Sequence, residues 1–196
     1  MEALNEELAA GRVRSLGASN WSASRLQEAN AFAERHGMAG FTSSSCQLSL
    51  AVQREPLADG CVSVHNPRDL AFYQGTGMPL FAWAALAGGF FRGEEDPEVG
   101  RVYGSAENRE RRLRASRLRE ARLHDSRLPE PAPLGASQVA LAWVLNQGFP
   151  TFAVVSTRQP QHLRQLSEAA DIRLSAREMA WLDLDAWPDR VAANNG

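Results

Sequence analysis

The chain has 196 residues, of which 44% are hydrophobic and 22% charged, and this balance excludes an extended disordered protein and predicts a soluble globular one. The formal net charge of −2 argues against a protein that binds nucleic acid through its overall charge. All 21 basic residues are arginine, so mechanisms that need a lysine, such as a P-loop or a Schiff base, are excluded.

The first part of the chain predicts helices and strands in alternation. Residues 3–10 have the spacing of a short amphipathic helix that ends at Gly11, and residues 12–19 then predict a strand. Ser22 can cap a helix that runs to His36, because its hydroxyl accepts a backbone hydrogen bond from the first turn. A second strand follows at about residues 41–48.

The rest of the chain continues this alternation. Asn66 and Pro67 begin a helix that the GTG triplet ends, and residues 79–86 form the most apolar strand, as expected for a parallel strand buried on both faces. An arginine-rich helix near residues 108–123 and a proline-rich linker lead to an apolar helix. That helix is predicted at 137–147, and the fourth strand follows at 151–156. Two last helices are predicted at 160–170 and from Ser175 onward, and the tail 188–196 is expected to be frayed.

Four strands that alternate with helices indicate a parallel sheet in an α/β protein. A closed TIM-type (β/α)8 barrel takes roughly 250 residues. This chain therefore predicts a half or incomplete barrel with four strands, in which residues 1–187 form a single domain. A small open doubly wound sheet is the alternative. Half a barrel leaves two sheet edges and the inner strand faces exposed, so a partner is expected.

Other patterns exclude further classes of protein. No apolar run approaches the roughly 20 residues needed to cross a bilayer, and the N-terminus lacks a leader pattern, so we expect a cytoplasmic protein without a membrane partner. Cys46 and Cys61 have neither metal-ligand nor disulfide spacing. Eight arginines between Asn108 and Arg127 alternate with acidic residues, which favours a solvated helix face over a nucleic-acid site.

Four segments carry a resemblance to a known family. GRVRSLGASNW and PLFAWAALAGGFFRG resemble two strand motifs of the aldo-keto reductases, written G-K-V-R-x-I-G-V-S-N and A-W-S-P-L-A-G-G. RVYGSAENRERRLR and ALAWVLNQGFPTFAVVSTRQPQHL resemble a loop-and-helix segment and the last helix-strand-helix unit of the same family. The resemblance covers nearly the whole chain and implies the C-terminal half of the family's barrel.

The resemblance also implies a site for a nicotinamide dinucleotide. In the family, the serine and asparagine of the first motif hold the nicotinamide carboxamide, the aromatic residue of the second stacks on the ring, and a late loop grips the adenosine phosphate. The cofactor-binding residues implied here are Ser19, Asn20, Ser45, Trp83, Leu86, Ser156, Thr157 and Arg158. Arg158 implies NADP(H), because a guanidinium can pair with two oxygens of a 2′-phosphate.

The family's catalytic residues have no counterpart in this chain. Family members protonate the substrate carbonyl with a tyrosine, assisted by a lysine, an aspartate and a histidine that all come from the first half of the barrel. This chain has no lysine, and its two tyrosines, Tyr73 and Tyr103, match other positions. Ser45 also replaces a family glutamine, and Ala84 replaces a serine. We therefore expect no catalytic and no metal-binding residue here.

Two functions from different classes follow. The chain is a split or truncated aldo-keto reductase that reduces small aldehydes or ketones only when a complementary half-barrel chain completes it. Alternatively, it is a non-catalytic nucleotide-binding or interaction protein that associates with its own copy. A fragment of a longer gene is a third possibility, since Met1 lies within a segment that resembles a family helix.

Overall fold

The computed structural model describes residues 1–93, 96–123, 135–157 and 159–184. The chain forms two compact units. The first contains Met1–Leu48, Glu55–Ala85 and Gln147–Val155, and the second contains Ser49–Arg54, Leu86–Asn146 and Ser156–Gly196. The single domain over residues 1–187 stays a prediction, and the predicted tail at 188–196 lies outside the described residues.

The first unit holds a four-stranded parallel sheet. Its strands are β1 (Gly17–Ser19), β2 (Ser43–Ser45), β3 (Leu80–Ala82) and β4 (Thr151–Ala153). They lie side by side in chain order, and every pairing is parallel. A doubly wound sheet reverses its strand order at a switch point. The sequential order seen here is that of a barrel wall and not of the doubly wound alternative.

Each strand is shorter than predicted. The predicted span 12–19 begins too early, because the backbone N–H groups of Arg12 and Val13 both donate to the carbonyl of Glu7 and so extend the turn that ends the first helix. Beyond its three paired residues, β2 makes only single bridges through Gln47. Regular pairing is therefore confined to three residues in each strand, and the flanking residues bond to loops and helix ends instead.

Three helices accompany this sheet. They are α1 (Glu2–Ala9), α2 (Ala23–Arg35) and α3 (Pro67–Thr76). The predicted caps are confirmed, since Ser22 accepts a hydrogen bond from the first turn of α2 and Asn66 does the same for α3, with Pro67 at the first helical position. α3 ends at Gly77, whose φ of 63° lies in the left-handed region that glycine adopts at little cost.

Among the described residues, the strands of the first unit bury one face and leave the other partly exposed. Leu80 of β3 is fully buried on the covered face, together with Ala18 of β1 and Ser44 of β2. Phe81 and Phe152 point to the other side and keep 42% and 52% of their surface exposed. The prediction that the third strand is buried on both faces is therefore wrong, because no element among the described residues covers this second face.

The second unit is helical. Its helices are α4 (Pro97–Tyr103), α5 (Ala106–Leu123), α6 (Gly135–Leu145), α7 (Pro160–Ser167) and α8 (Ala176–Leu182), with 3-10 turns at Ala87–Arg92 and Glu168–Asp171. α4 was not predicted from the sequence, although Asp96 before Pro97 repeats the cap-and-proline pattern of α3. Ser175 and Glu178 form the predicted capping box of α8. Within the described ranges, no helix is long and apolar enough to cross a membrane.

Asparagine side chains bind loop backbones in both units. In the second unit, the buried Asn108 accepts a hydrogen bond from the Val52 N–H at 2.9 Å and donates to the Val52 carbonyl at 2.7 Å. In the first unit, Asn30 accepts from the Phe41 N–H at 2.7 Å and donates to its carbonyl at 3.0 Å. Each amide takes the place of a strand partner, which satisfies the backbone groups of a loop that has none.

Candidate functional site

The carboxyl ends of β1, β2 and β3 bring four of the predicted cofactor residues together. The Asn20 N–H donates to the carbonyl of Ser45 at 2.9 Å, and the Ser19 hydroxyl donates to the same carbonyl at 3.2 Å. On the next strand, the Trp83 N–H donates to the carbonyl of Cys46 at 3.2 Å. Ser19, Asn20, Ser45 and Trp83 therefore border one end of the sheet, where barrel enzymes place their active sites.

The polar groups at this end can bind a carboxamide. Ser19 is exposed, and its hydroxyl keeps acceptor lone pairs while its proton goes to Ser45. Asn20 has a left-handed φ of 55°, and its Oδ1 accepts from the Val62 N–H at 3.2 Å, which holds the amide in one orientation. The Ser45 hydroxyl donates to the carbonyl of Phe81 at 3.2 Å. The serine lone pairs supply acceptors and the amide nitrogen of Asn20 supplies a donor, which are the groups that an amide ligand needs.

The indole of Trp83 supplies apolar surface and an unused donor. The side chain is half-buried, and its Nε1–H is buried without a hydrogen-bond partner among the described residues. An unpaired buried donor costs about 1–3 kcal/mol, so a ligand that brings an acceptor to Nε1 would recover that cost. A planar indole beside amide-binding groups fits a nicotinamide ring and its carboxamide.

Gln47 lies two residues beyond Ser45, yet its side chain is used inside the protein. It is fully buried, and its Oε1 accepts a hydrogen bond from the Ser63 hydroxyl at 2.5 Å. Its backbone also bridges to Trp83. Gln47 thus supports the residue whose indole lies at the sheet end. The signal that points to it is the spacing of two, which places Ser45 and Gln47 on the same side of an extended strand.

Leu86 begins a backbone turn that the sequence analysis did not predict. It belongs to the second unit and is followed by Ala87, Gly88 and Gly89, with φ values of 51°, 64° and 96°. A left-handed φ costs a residue with a Cβ, such as Ala87, about 1–2 kcal/mol. A Cβ on Gly88 would also come within 3.0 Å of the Val99 side chain. The Gly-Gly pair is the sequence signal that could have predicted this turn.

The last group of predicted cofactor residues precedes α7 in the second unit. Ser156 and Thr157 are exposed, and the Thr157 hydroxyl accepts a hydrogen bond from the Gln159 N–H at 3.2 Å. Thr157 thus shapes the backbone immediately before the helix. Arg158, the residue expected to select the cofactor phosphate, lies outside the described residues.

Both tyrosines are buried, and each hydroxyl takes part in a hydrogen bond inside the protein. Tyr73 is 1% exposed and its hydroxyl donates to Ser44 at 2.8 Å, and desolvation by burial is the main reason that its pKa is raised. Tyr103 is fully buried in the second unit, where its hydroxyl accepts a hydrogen bond from Gln53 at 3.2 Å. Both phenols are therefore committed to packing.

Comparison with known proteins finds relatives along almost the whole chain. The family model described as "Aldo/keto reductase family" matches residues 1–184. Norsolorinic acid reductase of Aspergillus flavus and norsolorinic acid reductase A of Aspergillus parasiticus are each 30% identical to this chain over 190 residues. These alignments cover 96% of this chain and 44% of each relative, so the chain spans less than half the length of the curated relatives it matches.

The fold is also found in a solved structure. A thermostable aldo-keto reductase in complex with the inhibitor epalrestat matches 93% of this chain and 52% of its own, with a TM-score of 0.58 and 20% sequence identity. At that identity the likeness concerns the fold alone. It confirms the predicted α/β class, in which parallel strand-helix units form part of a TIM-type barrel.

Proposed function

The chain belongs to the aldo/keto reductase family, and we propose that it carries the cofactor-binding part of a reductase that uses NADP(H) to reduce small aldehydes or ketones. Family membership supports carbonyl reduction and a nicotinamide cofactor. The observation that carries the proposal for this chain is the meeting of Ser19, Asn20, Ser45 and Trp83 at the carboxyl end of the sheet. Their donors, acceptors and planar indole suit a nicotinamide carboxamide and its ring.

The residues of the first unit would hold the reactive end of the cofactor. Ser19 and Asn20 would bind the carboxamide, and Ser45 would take the place of the family's glutamine with a shorter side chain. Trp83 would lie against the nicotinamide ring and exclude water from one side of it. The bound cofactor supplies the hydride, so the chain's own task is to position and shield it.

NADPH titration followed by tryptophan fluorescence tests this site. We expect NADPH to quench the fluorescence of the wild-type chain. Trp83→Leu should remove most of the quenching and weaken binding by about fivefold, because a stacked aromatic pair contributes about 1 kcal/mol. Trp181→Phe, on α8 in the second unit, is the control and should leave the NADPH quenching and the affinity unchanged. Absence of quenching in the wild type would contradict the proposal.

The preference for NADP(H) rests on Arg158. We expect Arg158→Glu to weaken NADPH binding by about 10- to 100-fold and NADH binding by much less, because only NADPH has the 2′-phosphate that a guanidinium can pair with. Arg164→Glu makes the same charge change on an exposed position of α7 and serves as the control. Equal losses for both cofactors would remove the assignment of Arg158.

Proton transfer has to come from residues outside this sequence. The two tyrosines are buried and the sequence contains no lysine, so this chain has no side chain that could act as the family's tuned acid. We expect the purified chain to show no NADPH-dependent reduction of an aldehyde. Hydride transfer consumes the reduced nicotinamide, so the assay follows its absorbance at about 340 nm. Sustained turnover by the chain alone would contradict this part of the proposal.

A non-catalytic nucleotide-binding or interaction protein is the second candidate. The same buried tyrosines and missing lysine favour it. Reductase activity that appears when a complementary half-barrel chain is added supports the first candidate, whereas an inactive but stable complex supports the second. For either candidate we propose a cytoplasmic location, which cell fractionation tests.

A further inference from the structure

The uncovered side of the sheet presents one continuous row of side chains. Ser19 pairs in register with Ser45, and Phe81 pairs with Phe152. Because Ser44 pairs with Leu80, the next residues along, Ser45 and Phe81, are also opposite each other. The row Ser19, Ser45, Phe81 and Phe152, together with Val154 immediately after β4, is called the bare face below.

The bare face is apolar at β3 and β4 and carries no charged side chain. The rings of Phe81 and Phe152 stack with centroids 5.0 Å apart and planes inclined by 18°, while both remain about half exposed, as does Val154. Ser19 and Ser45 complete the row without any ionisable group. Exposed apolar clusters of this kind mark interaction surfaces, and the lack of charge means that two such faces can meet without repulsion.

The two edges of the sheet are complementary. β1 and β4 are the outer strands, and neither is paired on its outer side by any strand of the described residues. All four strands run in the same direction, so the outer edge of β4 can pair in parallel with the outer edge of a β1 from another chain. A two-fold axis along the strands creates two such seams at once. Four strands from each chain make eight, the number in a closed TIM-type barrel.

We propose that the bare face is closed by a second copy of this chain, in a two-fold dimer whose sheets form one eight-stranded ring. The inference rests on the second, non-catalytic candidate of the proposed function, because a second copy closes the barrel without adding the lysine that proton transfer in the family needs. A second copy fits because every contact in a two-fold interface is made twice by the same surface, and this surface is uncharged, partly aromatic and flanked by both edge types. Small side chains on β1 and β2 leave room beside the phenylalanines of β3 and β4 in an interior that is just wide enough for side chains.

Sedimentation and light scattering of the full chain test the proposal. We expect a particle of twice the 21.5 kDa chain mass that dissociates on dilution. Phe152→Asp should raise the dissociation constant by about 100-fold or more, because it places two unpaired carboxylates across the two-fold interior. Leu163→Asp, at a position of α7 that is 51% exposed, is the matched control and should leave the dimer intact.

A charge-swap experiment separates a second copy from any other occupant. Phe152→Asp and Phe152→Lys should each be monomeric and well folded by circular dichroism, and mixing them in equal amounts should restore a dimer, since the carboxylate then faces an ammonium group. In the wild type, hydrogen exchange should show concentration-dependent protection at Gly17–Ser19 and Thr151–Ala153, which does not depend on any variant's folding. A monomeric wild type, a dimeric Phe152→Asp, failed re-association or unprotected edge strands would each overturn the proposal. A dimer that does not bind NADPH would instead retain this inference and remove the proposed cofactor site.

Discussion

The two faces of the sheet in the first unit are made by alternate residues of the same short strands, yet their surroundings are opposite. On the covered face, Leu80 is fully buried, and Ser44 is bonded to the buried hydroxyl of Tyr73. On the bare face, Phe81 and Phe152 stack on each other in the open. The difference shows that one face of each strand supplies the stability of the unit. The other face and the strand ends remain open for the cofactor and the partner proposed above.

The largest expected effect is the difference between substitutions of two consecutive residues of β3. Leu80→Ala should lower the free energy of unfolding by about 3 kcal/mol, because it leaves a cavity in the covered core. Phe81→Ala, one residue further on, should cost less than about 1 kcal/mol in the monomer, since the ring is only partly buried there. Urea unfolding of both variants in the monomeric Phe152→Asp background measures the contrast. Equal losses would mean that the bare face also contributes to the core.

A smaller effect is expected at the buried hydroxyl pair of the covered face. Tyr73→Phe removes the hydrogen bond to Ser44 and should destabilise the unit by about 1 kcal/mol. Ser45, the next residue of β2, donates a comparable hydrogen bond to the Phe81 carbonyl. Ser45→Ala removes that bond and should cost less, because the bond is exposed and water can replace it. Thermal or urea unfolding of the two variants side by side decides the order, and a larger loss for Ser45→Ala would contradict it.

The covered face also predicts a dependence on alkaline pH. Burial raises the pKa of Tyr73 above that of an unfolded tyrosine. The contribution of the protonated phenol to the free energy of unfolding is therefore fully present below pH about 10 and is lost as the pH rises towards the folded pKa. The chain has no lysine, which leaves few other groups to titrate in this range. The wild type should lose stability above pH about 10 more steeply than Tyr73→Phe. Parallel pH profiles of the two proteins would contradict the role of the buried phenol.

The smallest change in stability is expected for a substitution of Ser45 at the carboxyl end of β2, and the same substitution should strengthen NADPH binding. Ser45→Gln restores the side chain that the family resemblance places there, and its amide can reach further than the serine hydroxyl. NADPH binding should strengthen by about fivefold, equal to one added hydrogen bond, with the free energy of unfolding unchanged within about 0.5 kcal/mol. Fluorescence titration measures the binding, and Ser43→Gln at the other end of β2 is the control.

Much of the local structure and part of the site could be predicted from the sequence. The caps at Ser22, Asn66 and Ser175 follow from side chains that bond within a few residues of themselves, and the structure confirms them. Ser19 ends a predicted strand and Asn20 follows it, which is enough to place both at a sheet end. The alternation of four strands with helices likewise needed only the pattern along the chain, although α4 was not predicted. Local bonding and chain order are properties that neighbouring residues determine by themselves.

Tertiary structure decided which of these residues meet and which surfaces stay open. Trp83 bonds to the backbone of Cys46 and keeps an unpaired indole N–H among the described residues, and Gln47 is buried against Ser63. Both arrangements depend on segments that are far apart in the chain. An apolar strand such as 79–86 has the same pattern whether one face or both are covered, so only the neighbouring elements could show that Phe81 is exposed. Burial is a property of what packs against a side chain, and a linear pattern records the side chain alone.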